Sequence, residues 1–242
     1  MDYGKAITYV FQDKNWLATI LVGGGISLLG LFFFWTIIGP FLAYALVLGY
    51  MMQLIRDVQR DPDATLPPWD NWGKKLGDGF KLMVAQFFWQ LPLILLAIPM
   101  LTPMVLSAIY PDSDVLVVFG FVGYFSFLCF SFIYSIFFLI VQPALVINLT
   151  VHNQFAKAFD IAGIFAIIRE HLGEVLIIAL LTFGLGYFAS WIGMLLLLIG
   201  VVFTSFWVML VQGHLYGQLA RLVFPSSPTT TSLTPSSTTE AS

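Results

Sequence analysis

The polar side chains best suited to chemistry in this chain lie inside long apolar stretches. Gln86 and Gln90 are one helical turn apart and therefore share a helix face. Gln212 and His214 lie close together in another apolar stretch. Such groups either line a polar path or hydrogen-bond between helices. We treat these four residues as a candidate intramembrane polar path, and we favour interhelical hydrogen bonding as the alternative for the Gln86 and Gln90 pair.

Signatures of other chemistry are missing from the sequence. The three histidines, His152, His171 and His214, are far apart and form no i, i+3 or i, i+4 pair. Neither a GxSxG motif nor a P-loop pattern occurs. The single cysteine, Cys129, offers neither a disulfide framework nor a cysteine zinc site. We expect no enzymatic activity, no catalytic or metal-binding residues and no cofactor.

Composition places the chain among integral membrane proteins. Of its 242 residues, 59% are hydrophobic and 10% are charged. Soluble domains have roughly 45–50% apolar and about 25% charged residues. The ten Lys and Arg residues are scattered, whereas nucleic-acid binding needs them clustered on one face. Nucleic acid is therefore not an expected partner.

Three apolar blocks divide the chain. The 40 residues from Trp16 to Ile55 contain no charge, and as helix they would extend about 60 Å, twice a hydrocarbon core of about 30 Å. We interpret each block as two spans, with turns near "IIGP" (37–40), "SAIYPDSD" (107–114) and "GYFASWIG" (186–193). The predicted fold is all-α integral membrane, a domain of residues 1–224 with six transmembrane helices as three hairpins (about 16–55, 82–147 and 174–220).

The positions of basic residues indicate an orientation. All ten lie before the first span, in the connections after the second and fourth spans, or after the sixth. The other three turns contain no Lys or Arg. Because cytoplasmic loops carry the excess of basic residues, we predict a multi-pass protein of the cell (cytoplasmic) membrane with both termini cytoplasmic.

A short amphipathic stretch precedes each predicted hairpin. Polar and apolar residues alternate with helical spacing in residues 2–12, 74–84 and 153–162. We therefore predict three short interfacial helices, one ahead of each hairpin. After residue 224 the Ser/Thr/Pro-rich sequence has little to bury, which predicts a disordered cytoplasmic tail over residues 225–242.

The segment "LPPWDNWGKK" (66–75) connects the second and third predicted spans. Its prolines stop a helix, its tryptophans suit the headgroup belt, and its lysines favour the cytoplasmic side. We interpret it as an interfacial anchor. A docking surface for a partner is the alternative, and the candidate residues for either role are Trp69, Asp70, Trp72, Lys74 and Lys75.

The sequence around this connection resembles that of an uncharacterised prokaryotic multi-pass membrane family, catalogued as domain of unknown function 4013. The family pattern R…LP-x-W-D-x-W-G…DG-x-K is similar to residues of this chain: Arg56, Leu66, Pro67, Trp69, Asp70, Trp72, Gly73, Asp78, Gly79 and Lys81. Pro143 and Lys157 fit a proline and a basic helix further on. The resemblance extends over about residues 1–222 and implies a fold without implying an activity.

Two functions remain open. We expect a non-enzymatic membrane scaffold that organises lipid or partner proteins, with the lipid bilayer, a membrane-protein partner or a second copy of the chain as its partners. The alternative is a channel or permease for small or amphiphilic solutes. The small-residue pairs Ala45/Gly49 and Gly213/Gly217 are compatible with dimerisation or with packing inside one bundle, and we favour packing.

Overall fold

The computed structural model describes residues 1–195 and 199–225, and its regular elements in that part are all helical. The predicted disorder after residue 224 lies outside the described residues except for Pro225. Short 3-10 turns occupy Phe34–Thr36 and Phe155–Phe159. The helices are α1 (Tyr3–Gln12), α2 (Trp16–Phe32), α3 (Ile38–Arg60), α4 (Trp72–Ile109), α5 (Asp114–His152), α6 (Ile161–Glu170), α7 (Leu172–Leu195) and α8 (Ile199–Val223).

Several of these helices could cross a membrane. Five of them, α3, α4, α5, α7 and α8, are long and apolar enough to do so, and the bent pair of α1 and α2 is a sixth candidate if it is counted as one span. α2 has 17 residues, and the chain bends by 94° between α1 and α2. The fold is therefore an all-helical one with several apolar helices of membrane-spanning length.

The helices are interrupted at or next to two of the three predicted turns. The chain leaves α2 through the 3-10 turn Phe34–Thr36 and begins α3 at Ile38, and α4 and α5 are separated at residues 110–113. The third predicted turn is wrong, because residues 186–193 are helical and belong to α7. Glycine costs only about 1 kcal/mol inside a helix, so the glycines there do not end it.

The predicted interfacial helices differ in how they are built. Ahead of α4 there is no separate helix, because Trp72–Ile109 is continuous. Of its first three charged residues, Lys74 is exposed, whereas Lys75 and Asp78 are buried against the rest of the protein, so this stretch packs on the bundle as the first part of α4. Before α7, the segment divides into the 3-10 turn and α6. α1 is separate, and Ala6, Tyr9 and Val10 on it are buried.

The helices pack most densely at one end of the bundle. α3 contacts both α4 and α8, α4 contacts α5, and α7 contacts α8. The buried part of α4 ends at Ala85, and the continuous buried part of α5 runs from residue 143 to residue 150. Residues 86–109 of α4 and 121–140 of α5 include no buried residue. The bundle therefore converges where its basic residues lie, and α4 and α5 extend outward from it as an apolar arm.

Candidate functional site

The loop between α3 and α4 is fastened to the bundle by Lys75. The lysine is only 2% exposed, and its ammonium donates to the carbonyl oxygens of Pro68 (2.9 Å) and Asp70 (2.6 Å) and to an Asp70 carboxylate oxygen (2.9 Å). The hydrogen bond from Lys75 to the Asp70 carboxylate lowers the pKa of that carboxyl below its ordinary value. Lys75 therefore stabilises the loop, and its charged group faces loop oxygens.

Two further hydrogen bonds and a pair of stacked aromatic rings also hold this loop against the bundle. The hydroxyl of Tyr50 donates to the carbonyl of Pro67 at 2.8 Å. The Asp13 carboxylate accepts from the Leu66 N–H at 3.0 Å. The Trp69 ring is stacked on Tyr50 with centroids 4.3 Å apart.

The remaining candidate anchor residues differ in exposure. Trp72 stacks on Trp69 at 5.5 Å and is itself 46% exposed. Asp70 and Lys74 are exposed, and Trp69 is half-buried. Of the five candidate residues, Asp70, Trp72 and Lys74 are therefore the ones that form an exposed surface.

A buried ion pair connects α3 to α4 beside this loop. Arg56 and Asp78 are 2.6 Å apart, with side chains 15% and 8% exposed. The Arg56 guanidinium also donates to the Thr150 carbonyl at the end of α5, at 3.2 Å. Lys81 lies 3.5 Å from Asp78. Three helices are thus joined through one arginine at the charged end of the bundle.

Glycines bring the backbones of α3 and α4 into direct contact at the same place. A Cβ atom on Gly49 would overlap the carbonyl of Lys75, and one on Gly79 would overlap the carbonyl of Ala45. On the other side of α3, a Cβ on Gly217 would lie 2.6 Å from Val58. Both predicted small-residue pairs therefore pack within one chain.

A cavity of about 520 Å³ lies where the helices begin to separate. Gln86 of α4, Gln142 of α5 and Gln212 of α8 line it together with Ser27, Tyr44 and Ser205. The Tyr44 hydroxyl donates to Gln86 Oε1 at 3.2 Å, and Gln212 Nε2 donates to the Tyr216 hydroxyl at 2.6 Å. The rest of the lining is mostly apolar and includes Leu31, Phe34, Val47, Leu48, Met51, Phe206 and Met209.

The structure brings together only part of the predicted polar path. Gln86 and Gln212 line the cavity, whereas Gln90 and His214 are not among the described residues that line it. His214 is 1% exposed, its ring centroid is 4.3 Å from that of Tyr9, and its Nδ1 lies 3.1 Å from Gln218 Nε2. It therefore connects α8 to α1.

Sequence reasoning missed Gln142, Tyr44, Ser27 and Ser205 as cavity residues. Gln142 directly precedes Pro143, which lies inside α5, and this helix continues to His152. A search for every uncharged polar residue in the three apolar blocks would have included these four. It could not have shown that they converge, because they come from four different helices.

The family model described as "Protein of unknown function (DUF4013)" matches residues 32–198. The chain belongs to this family. No curated protein and no solved structure matches it. The DUF4013 match includes the loop fastened by Lys75, the ion pair of Arg56 with Asp78, and the cavity residues Gln86 and Gln142. It excludes α1, all of α2 except Phe32, and the whole of α8, so it is shorter at both ends than the resemblance predicted from the sequence.

Proposed function

We propose that this DUF4013 protein is a six-span, non-enzymatic membrane protein that organises lipid or a partner protein, with both termini and the charged end of its bundle in the cytoplasm. The observation that carries the proposal is the division of the bundle into a tightly packed charged end and an apolar arm without buried residues. The side chains of such an arm are not covered by other parts of the protein, and their apolar character suits contact with lipid.

The bend between α1 and α2 supports six spans rather than five. With α1 packed across the charged end of α8, a bend of 94° directs α2 along the bundle beside α3 and α8. α2 is about 25 Å long at roughly 1.5 Å per residue, close to a hydrocarbon core of about 30 Å. α2 with α3, α4 with α5, and α7 with α8 then form the three membrane hairpins of the proposal.

The distribution of charge supports the orientation. Lys5 pairs with Asp63, Arg56 with Asp78, Lys75 with Asp70 and Lys157 with Asp160, all at the packed end. The connection between α4 and α5, at the end of the arm, carries Asp112 and no basic residue. The positive-inside rule then assigns the packed end to the cytoplasm.

A channel or permease is the second candidate, because Gln86 and Gln212 of the predicted path line one cavity. Flux of small uncharged solutes into vesicles containing the reconstituted protein separates the two functions. The scaffold proposal predicts flux equal to that of protein-free vesicles. Solute flux that collapses in the double variant Gln86→Leu, Gln90→Leu would overturn the scaffold proposal in favour of a permease.

A further inference from the structure

Three glutamine side chains from three helices line the cavity, and part of their hydrogen-bonding capacity is unused. Neither the amide nitrogen of Gln86 nor the amide of Gln142 bonds to another described residue. An amide facing an apolar space without a partner costs free energy. A bound molecule with a hydrogen-bonding group would remove that cost.

The lining restricts the charge of such a molecule. The described residues that line the cavity include no Asp, Glu, Lys or Arg. A charged group there would lose its hydration without gaining a counter-ion, which is strongly unfavourable. Amides supply both donors and acceptors, so an ester or a hydroxyl suits them.

The opening of the cavity indicates where the molecule comes from. Leu31, Phe34 and Tyr44 of the lining are 60%, 65% and 49% exposed. They continue into the exposed apolar surface formed by Leu29, Phe32 and Phe41. The exposed part of the cavity lining is therefore apolar, as an entrance from lipid requires.

We propose that this cavity binds one acyl chain of an uncharged membrane amphiphile and that Gln86, Gln142 and Gln212 hold its ester or hydroxyl group. Its volume of about 520 Å³ falls within the roughly 300–1,000 Å³ usual for small-molecule sites. Because the chain comes from lipid and not from water, its preference for the site depends on the polar contacts with the glutamines. The inference rests on the proposed function, since it assigns to the protein a specific lipid class.

The test uses a monoacylglycerol with one 16-carbon chain that carries a photoreactive diazirine. The full chain is reconstituted in phosphatidylcholine nanodiscs and irradiated, and the labelled peptides are mapped by mass spectrometry. We expect saturable labelling of α2, α3 and α8 peptides around Ser27, Val47 and Met209. Labelling that does not saturate, or that is confined to the outer surfaces of α4 and α5, would overturn the proposal.

Substitutions identify the polar contacts. Gln142→Leu and Gln86→Leu are each expected to weaken labelling about five- to tenfold, the effect of losing one hydrogen bond. Gln90→Leu is the matched control, because Gln90 lies one turn further along α4 and outside the cavity lining. Equal labelling in all three variants would contradict the assigned role of the glutamines.

Competition on the unmodified protein avoids any dependence on variant folding. Hexadecanol should displace the probe, whereas hexadecane, which lacks a polar group, and palmitate at alkaline pH, which is charged, should need at least about tenfold higher concentration. Equal competition by all three would exclude a polar-group site. Solute flux in vesicles tests the proposed function separately, so the two failures can be distinguished.

Discussion

The ammonium nitrogen of Lys75 lies 2.6 Å from the carbonyl oxygen of Asp70, five residues earlier in the chain. This contact closes the loop between α3 and α4 onto the first turn of α4. Because Lys75 is buried and bonds to three loop oxygens, the shape of the exposed surface at Asp70 and Trp72 depends on it.

Removal of this ammonium should therefore destabilise the protein. Lys75→Met leaves loop oxygens without a hydrogen-bond donor, and such a loss lowers the free energy of unfolding by about 1–3 kcal/mol. We expect a clear fall in the thermal unfolding midpoint in detergent. Lys74→Met is the control, since Lys74 is exposed and adjacent. Equal midpoints for the two variants would mean that Lys75 does not fasten the loop.

The direct backbone contact between α3 and α4 predicts that two glycines of α4 differ in how well they tolerate substitution by alanine. Gly79→Ala should destabilise by about 1–3 kcal/mol, because a Cβ there overlaps the Ala45 carbonyl. Gly77→Ala, on the same helix, has open space around its Cβ and should be neutral or stabilising by up to about 1 kcal/mol. Denaturant titration of both variants measures the difference, and a harmless Gly79→Ala would refute the close approach.

The buried ion pair should show strong coupling between its members. Asp78→Leu leaves the Arg56 guanidinium without its carboxylate and should cost about 3 kcal/mol. The double variant Arg56→Met, Asp78→Leu removes both charges, so it should be more stable than the sum of the single changes predicts. Additive effects in this double-mutant cycle would show that the two charges do not interact.

Acid should weaken the segment before α6 through Asp160. The hydrogen bond from Lys157, followed by that from the Gly163 N–H, lowers the pKa of the Asp160 carboxyl below its ordinary value. Its stabilisation is then complete above the ordinary pKa of about 3.9 and is lost as pH falls through the lower folded-state pKa. Asp160→Asn keeps a helix-capping oxygen but removes this dependence.

Unfolding midpoints measured from pH 6 to pH 2 test this expectation. The difference between the unmodified protein and Asp160→Asn should be constant at the upper end of the range and should shrink below about pH 4. A difference that stays the same throughout would show that the carboxylate charge contributes nothing.

Apolar length predicts the all-helical fold, and proline position marks two of its turns only approximately. Pro111 lies in the break between α4 and α5, and Pro40 lies in the first turn of α3, where proline is tolerated, whereas four other prolines lie inside α4 and α5. The third turn was misplaced because Gly186 and Gly193 remain helical. Gly193 instead allows close packing, since a Cβ there would lie 2.5 Å from the Val201 Cα.

The roles of individual polar residues were harder to predict. Lys75 has the sequence context of an interfacial lysine, and only the packing of α4 on α3 buries it. Gln86 and Gln90 share a helix face, yet the cavity lies at the level of Gln86 alone. Such differences arise from contacts between residues distant in sequence, which helical periodicity does not describe.

The most direct test of the membrane architecture is single-cysteine labelling with an impermeant thiol reagent in a Cys129→Ala background. Lys14, Thr65 and Asp112 are all exposed positions, suited to one cysteine substitution each. The proposed six-span arrangement predicts that Lys14→Cys and Thr65→Cys are labelled only after the membrane is opened, whereas Asp112→Cys is labelled in intact cells. Labelling of Asp112→Cys only from the cytoplasm, or of Lys14→Cys from outside, would contradict it.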